Sequence, residues 1–273
     1  MKLIMLMENR GSANRSLINE FGFSAYVECD DLNILFDFGP NLDTLKNVQA
    51  LNIHLEKVDY LIGSHGHFDH SGGYPAFLRA GCHKPFITGE GYFNEKYSLD
   101  GIRATYLGNS FDENLLRREG IEHKVCKKVL KLSETEFIMG GFKRVYDFEM
   151  IPDRFCIRNG NTLVKDNFDD EICFVHKMKD GLFVLVGCSH PGILNILSSV
   201  KEYFGMPIIG VVGGTHLKDA SEDRIHRTIQ VIKSFGISFI GFNHCTGEKF
   251  ENLIKDETSI KAVHLGTGDA LFI

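Results

Sequence analysis

A cluster of metal-ligand side chains directly follows an apolar segment in the first quarter of the chain. The segment at residues 58–63 reads VDYLIG, and SHGHFDHSGG follows it. His65, His67, Asp69 and His70 therefore lie within six residues, at the end of a predicted strand. Imidazoles and a carboxylate suit Zn, Fe or Mn. Because burying so many polar groups without partners is costly, a purely structural role is disfavoured. The spacing predicts two neighbouring metal positions beside one tight loop.

Three further histidines follow apolar segments in the second half of the chain. The segments Leu182–Val186, Ile208–Val212 and Ser238–Gly241 lead to His190, His216 and His244 respectively. In α/β proteins, the ends of the strands form the binding crevice of the sheet. We therefore expect these histidines to converge on the first cluster.

The pattern of apolar residues predicts an α/β architecture. Further strands are predicted at Leu3–Met7, Ser24–Glu28, Asn33–Phe38, Tyr60–Gly63 and Glu171–His176. Helical spacing of apolar residues covers Ile193–Phe204 and Ile225–Phe235, the latter after a Ser221–Asp223 start. We predict one domain over residues 1–273. The middle section, residues 91–170, has mixed short elements and many charges, as expected of a lid, an insertion or a loop-rich scaffold.

The charge balance restricts the class of partner. Lys and Arg total 30 and Asp and Glu total 36, which gives a formal net charge of −6. A dedicated nucleic-acid binder would carry a basic face, so nucleic acid is not an expected partner. A small anionic substrate held by a local site is compatible with this charge. The sequence leaves the oligomeric state open.

Neither a membrane span nor an export signal is predicted. No apolar run reaches the roughly 18 residues that a spanning helix needs. Met1–Met7 is followed at once by polar residues, so it is predicted to be a strand rather than a signal peptide. The seven cysteines are odd in number and form no CxxC pair. Reduced thiols in a cytoplasmic protein are therefore expected.

The SHGHFDHSGG segment resembles the HxHxDH signature of the metallo-β-lactamase superfamily. The segments FGFSAYVE, ILFDFG, GCSHPGILNI, VVGGTHL and NHCTG are similar to the branch of the archaeal 7,8-dihydropterin-6-methyl-4-(ribofuranosyl)aminobenzene-5′-phosphate synthases. The resemblance extends from about Asn9 to Gly268. It implies an α/β fold of the αββα type, a four-layer sandwich with metals at the edges of its sheets.

The resemblance also implies a ligand set for two divalent metal ions per chain, with Zn expected and Fe or Mn as alternatives. His65, His67 and His190 would hold the first ion, and Asp69, His70 and His244 would hold the second. Asp69 would in addition orient the nucleophile or accept its proton.

One segment departs from the pattern of the superfamily. Members usually carry a metal-bridging acid between the third and the last ligand motifs, whereas this chain has Gly213–His216, with no carboxylate before Asp219. Either His216 serves as a ligand or substrate contact, or the second ion is weakly held. Cys188 and Cys245 lie beside ligand histidines, as thiolate ligands or as small buried side chains.

Three functions remain open at this stage. The first is a hydrolase of small phosphorylated or ester substrates, because bound metal ions lower the pKa of water to about 7 and so supply hydroxide. The second is a transferase that condenses a dihydropterin pyrophosphate with an aminobenzene ribofuranosyl phosphate, as in methanopterin synthesis. The third is a non-catalytic protein that binds or senses metal.

Overall fold

The computed structural model describes residues 1–273. The chain forms two compact units, each built from separate stretches of sequence. Unit 1 comprises Met1–Cys126, Pro152–Asp170 and Gly266–Ile273, and unit 2 comprises Lys127–Ile151 and Glu171–Leu265. The single domain over residues 1–273 stays a prediction.

Strands dominate both units. In chain order they are β1 (Lys2–Met7), β2 (Ser24–Glu28), β3 (Asn33–Phe36), β4 (Tyr60–Ile62), β5 (Phe86–Thr88), β6 (Lys96–Asp100), β7 (Arg103–Tyr106), β8 (His123–Val125), β9 (Val129–Lys131), β10 (Glu136–Met139), β11 (Phe155–Asn159), β12 (Thr162–Lys165), β13 (Cys173–Lys177), β14 (Leu182–Leu185), β15 (Ile208–Gly213), β16 (Phe239–Phe242), β17 (Lys261–His264) and β18 (Ala270–Phe272). The helices are α1 (Asp43–Ala50), α2 (Phe68–Ser71), α3 (Tyr74–Arg79), α4 (Glu113–Arg118), α5 (Ile193–Phe204), α6 (Glu222–Ser234) and α7 (Glu248–Lys255), with a 3₁₀ turn at Leu55–Lys57.

Unit 1 contains a seven-stranded mixed sheet in the order β18-β1-β2-β3-β4-β5-β8. Its first strands pair antiparallel, and β3, β4, β5 and β8 pair parallel. An aromatic cluster of Phe38, Tyr74, Phe77 and Phe86 fills the core on one face, with ring centroids 4.6–5.8 Å apart. A separate antiparallel sheet has the order β12-β11-β6-β7. In the parallel half of the main sheet, β4 leads into residues 64–70, which contain four of the predicted ligands.

Unit 2 contains a second seven-stranded sheet, in the order β17-β16-β15-β14-β13-β10-β9. Its strands β14 to β17 run parallel, and α5, α6 and α7 connect them in turn. The apolar faces of α5 and α6 are buried, and the Ser221 hydroxyl caps α6 by accepting from the Arg224 amide at 3.2 Å. Because the strands are parallel, the carboxyl ends of β14, β15 and β16 lie at the same edge of the sheet.

The predicted elements are confirmed where the apolar pattern was regular. All eight predicted strands overlap observed strands, and helices occupy both predicted helical segments. Residues 91–170, where the pattern was least regular, contain the seven short strands β6 to β12 and helix α4. None of the helices combines the length and the apolar character required to cross a membrane.

Candidate metal centre

The ligand loop, residues 64–70 of unit 1, leads from β4 into α2 and brings four predicted ligands together. His65, His67, Asp69 and His70 are all buried. The ring of His65 lies 4.8 Å from that of His67 and 4.3 Å from that of His70, measured between centroids. Asp69 Oδ2 lies 3.8 Å from His70 Nε2. The compact arrangement predicted from the sequence spacing is thus present within this unit.

The carboxylate of Asp37, at the end of β3, organises the ligand loop. Its Oδ1 accepts from the Ser64 amide at 2.7 Å, and its Oδ2 accepts from the Ser64 hydroxyl at 2.7 Å and lies 2.6 Å from His70 Nδ1. Since Ser64 donates its hydroxyl hydrogen to Asp37, it can only accept from His65 Nδ1, at 3.0 Å. In its neutral form each of these histidines therefore carries the lone pair on Nε2, the arrangement typical of metal-ligating imidazoles.

The electrostatics of the loop favour positive charge at His70. Complete burial lowers the pKa of the imidazole, but Asp37 and Asp69 raise it more, so the net direction is upward. Such a site attracts cations because two carboxylates face one buried position. The negative charge of these two carboxylates would also favour a bound divalent ion.

Aromatic side chains enclose the ligand loop within unit 1. Phe23 stacks on His70 at 5.8 Å between centroids, and Phe168 meets His67 edge to face at 5.3 Å. Phe155 lies 5.8 Å from the His67 ring. An apolar shell of this kind lowers the local dielectric and strengthens the interaction between a cation and its ligands.

In unit 2, His190, His216 and His244 follow the ends of β14, β15 and β16. His190 and His244 are buried and His216 is half-buried. The rings of His190 and His216 lie 4.2 Å apart, so the structure brings these two predicted side chains together. His216 and His244 both have φ of 51°, and Ser189 has φ of 62°. Left-handed backbone at non-glycine residues costs free energy and is concentrated at functional sites.

Glu171, whose role the sequence analysis missed, supports His190 in unit 2. Its buried carboxylate accepts from the Ser189 amide at 2.5 Å and from the His190 amide at 2.8 Å. Charge-assisted bonds of this type hold backbone more tightly than neutral ones. The available signal was an acid at the start of the predicted strand Glu171–His176. Asp37, likewise missed as a supporting residue, is an acid within the predicted strand Asn33–Phe38.

The two cysteines near the histidines of unit 2 are buried. The sulfurs of Cys188 and Cys245 and one ring nitrogen of His244 lie within 4.8 Å of one another, and Cys245 Sγ donates to the Cys188 carbonyl at 3.4 Å. Burial raises the pKa of the Cys245 thiol, but the hydrogen bond at Cys188 and the nearby His244 lower it more. The positions are compatible both with thiolate ligands and with small buried side chains.

The donor sets of both units fit divalent metal ions. Unit 1 offers three imidazoles and one carboxylate, and unit 2 offers three imidazoles with two thiols beside them. Nitrogen and oxygen donors of this kind are those that Zn, Fe and Mn take in proteins. The predicted sharing of ions between His65, His67 and His190, and between Asp69, His70 and His244, stays a prediction.

Comparison with known proteins identifies the family. The family model of the metallo-β-lactamase superfamily matches residues 18–150. The chain is 29% identical to the 7,8-dihydropterin-6-methyl-4-(β-D-ribofuranosyl)-aminobenzene-5′-phosphate synthase of Methanocaldococcus jannaschii, over 94% of this chain and 91% of that protein. It is 30% identical to the uncharacterized protein MJ0448 of the same organism, over 96% of this chain and 97% of that protein.

A solved structure agrees with these matches. Tm1679, described as a metal-dependent hydrolase of the β-lactamase superfamily, superposes with a TM-score of 0.87 and is 30% identical, over 100% of this chain and 99% of that chain. The predicted α/β fold of the metallo-β-lactamase type is therefore confirmed. On the evidence of this agreement and of the full-length matches, the chain belongs to the metallo-β-lactamase superfamily.

Proposed function

We propose that this protein is a metal-dependent hydrolase that acts on a small, anionic substrate, a phosphorylated compound or an ester. The observation that carries the proposal is the ligand loop, in which Asp37 and Ser64 orient the buried imidazoles of His65 and His70 through their Nδ1 atoms. The description of Tm1679 as a metal-dependent hydrolase supports it. Neither nucleic acid nor a membrane is a proposed partner.

We propose the ligand set that the family resemblance implies. His65, His67 and His190 would hold one ion, and Asp69, His70 and His244 would hold the other, with Zn expected and Fe or Mn as alternatives. When bound, divalent ions lower the pKa of water to about 7 and stabilise developing negative charge on a substrate oxygen. That chemistry suits hydrolysis at neutral pH.

Four side chains have further proposed roles. The Asp69 carboxylate, which is buried beside His70, orients the attacking water or accepts its proton. His216, whose ring lies against that of His190, contacts the substrate or supplies a ligand where the superfamily usually has a bridging acid. Phe23 and Phe168 pack on ligand imidazoles and exclude bulk water from them.

A second candidate function rests on a specific relative. The curated protein at 29% identity is named as a synthase that makes a dihydropterin–aminobenzene phosphate compound. The corresponding activity here would be a transferase that joins a dihydropterin pyrophosphate to an aminobenzene ribofuranosyl phosphate. A non-catalytic role in metal binding or sensing is the third candidate, supported by the absence of a carboxylate from Gly213 to His216.

Product analysis on the zinc-loaded protein separates the candidates. We expect hydrolysis of at least one of p-nitrophenyl phosphate, bis(p-nitrophenyl) phosphate and p-nitrophenyl acetate, and loss of that activity in Asp69→Asn. The surface variant His226→Ala is the matched control and should retain activity. A second assay offers a dihydropterin pyrophosphate with an aminobenzene ribofuranosyl phosphate. Release of pyrophosphate with a joined pterin product, without hydrolysis of any ester, would establish the transferase instead. Bound metal with no turnover in either assay would favour the non-catalytic role.

A further inference from the structure

A fully buried lysine lies close to the ligand loop in unit 1, and the proposed mechanism does not use it. Lys96, at the start of β6, is 1% exposed, and its Nζ lies 2.6 Å from Asp166 Oδ2 and 2.9 Å from Asp170 Oδ1. Both carboxylates are themselves buried. Removing three charges from water carries a large desolvation cost. We therefore asked which neighbouring parts of the chain these three side chains hold in position.

Asp170 connects this ion-pair group to the ligand loop. Its second oxygen, Oδ2, accepts from the Gly66 amide at 2.8 Å, and Gly66 lies between the ligands His65 and His67. One carboxylate is therefore bound by Lys96 through one oxygen and by the ligand-loop backbone through the other. Asp166, the other partner of Lys96, instead accepts from the Phe168 amide at 2.7 Å.

The backbone at Gly66 is also confined on its other side. A Cβ at this position would lie 2.1 Å from the Tyr92 carbonyl oxygen and 3.1 Å from Asn109 Nδ2. Asn109 Nδ2 in turn donates to that same carbonyl at 2.7 Å. Only glycine fits against the Tyr92 carbonyl, and the Gly66 amide bonds to Asp170, so the peptide between the two histidines has a narrow range of positions.

The aromatic ring of Phe168 extends the same group to an imidazole. Lys96 Nζ lies 4.6 Å from the centroid of the Phe168 ring, at cation–π distance. The ring meets His67 edge to face at 5.3 Å. Burial lowers the pKa of Lys96, but Asp170 and Asp166 raise it more, so the ammonium stays charged. Lys96 thus acts on the loop through a carboxylate and through a ring.

We propose that Lys96 and Asp170 are positioning residues for the metal-ligand loop. Lys96 orients the Asp170 carboxylate, and Asp170 fixes the Gly66 amide and with it the directions of the His65 and His67 side chains. The inference rests on the proposed function, since it assumes that those histidines bind metal. It assigns to Asp170 a role that Asp166 lacks, although both aspartates pair with the same lysine.

That asymmetry provides a matched pair of variants, Asp170→Ala and Asp166→Ala. Each removes one carboxylate from Lys96, but only the first removes the acceptor of the Gly66 amide. We expect Asp170→Ala to lower zinc affinity by about 10–100-fold, the range typical of groups that orient metal ligands. Asp166→Ala removes the acceptor of the Phe168 amide but leaves the Gly66 bond, so it should lower zinc affinity less than Asp170→Ala does. Asp170→Asn should recover part of the loss because its carbonyl can still accept from Gly66.

Two readouts decide the outcome. Zinc affinity is measured by competition with a chromophoric chelator, and amide hydrogen exchange of a peptide spanning residues 64–70 is measured in the metal-free protein. Faster exchange in Asp170→Ala than in Asp166→Ala, together with the affinity difference, supports the proposal. Equal effects of the two variants in both readouts, or no effect of Asp170→Ala, would overturn it. If the wild type binds no zinc, the proposed function fails, and the exchange comparison still decides whether Asp170 fixes the loop.

Discussion

The two units present their candidate ligands in different ways. In unit 1, His65, His67, Asp69 and His70 come from one loop, and Asp37 bonds to His70 directly and to His65 through Ser64. In unit 2, the histidines come from the ends of three successive parallel strands, each followed by a helix. The first arrangement depends on local spacing and the second on sheet topology.

The carboxylates that support the candidate ligands also differ between the two units. Asp37 bonds to two side chains and one amide of the ligand loop, whereas Glu171 bonds to the backbone amides of Ser189 and His190. In unit 2, His216 and His244 have left-handed backbone. In the contiguous ligand loop one carboxylate, Asp37, therefore bonds to side chains at both ends of the loop, whereas Glu171 in unit 2 bonds to the backbone beside a single ligand.

The largest expected effect tests that contrast through Asp37→Asn and Glu171→Gln. Asp37→Asn replaces the carboxylate that pairs with His70 by a neutral amide, whose NH₂ group would face the donors of Ser64 and His70. We therefore expect a loss of about 3–5 kcal/mol in the free energy of unfolding. Glu171→Gln weakens two charge-assisted bonds to amides, with an expected loss of about 1.5–3 kcal/mol. Urea unfolding of the metal-free proteins measures both values. Equal losses would show that the two carboxylates support their units to the same extent.

A pH dependence is expected from unit 2. Burial raises the pKa of Glu149 to about 7 from an ordinary value of 4.5, against the smaller opposing effect of the Leu194 and Asn195 amides that donate to it. Between these two pH values the folded state binds more protons than the unfolded state, so the free energy of unfolding falls as pH rises through that window. The expected fall is on the order of 3 kcal/mol.

The variant Glu149→Gln isolates this contribution. Urea unfolding at several pH values from 4.5 to 8 should show a flatter profile for the variant than for the wild type. Identical profiles would mean that Glu149 does not titrate in this window.

The smallest expected effect concerns an ordinary helix start that carries no ligand. Ser221→Ala removes the cap of α6 and should lower the free energy of unfolding by about 1 kcal/mol. Ser234→Ala, in the last turn of the same helix, is the control and should change it by less than about 0.5 kcal/mol. Thermal or urea unfolding measures the difference. A loss at Ser221 as large as that at Asp37 would contradict the ranking of these supports.

The regular parts of the fold could be predicted from sequence for a physical reason. The helix at Ile193–Phe204 buries one apolar face, so its three- and four-residue spacing is visible in the chain. The ligand loop was also predictable, because its four ligands lie within six residues. Short strands such as β8 and β9 have three residues each and no regular burial pattern, which leaves no periodic signal to detect.

The supporting residues could not be predicted from sequence alone. Asp170 is separated from Gly66 by 104 positions, and Lys96 by 74 positions from Asp170, so only the folded chain shows that they are bonded. Glu149 is 45 positions from Leu194, from whose amide it accepts a hydrogen bond. The sequence around a single acidic residue in a charged segment does not indicate whether its side chain is buried. These groups follow from tertiary structure rather than from local pattern.

The metal content of each chain decides whether the proposed two-ion site exists. Elemental analysis after reconstitution with zinc should give about two ions in the wild type and in the control His226→Ala. His67→Ala in unit 1 and His190→Ala in unit 2 should each lose at least one ion, because both histidines are proposed ligands of the first ion. A wild type that cannot be loaded, or variants that retain the full complement, would contradict the account.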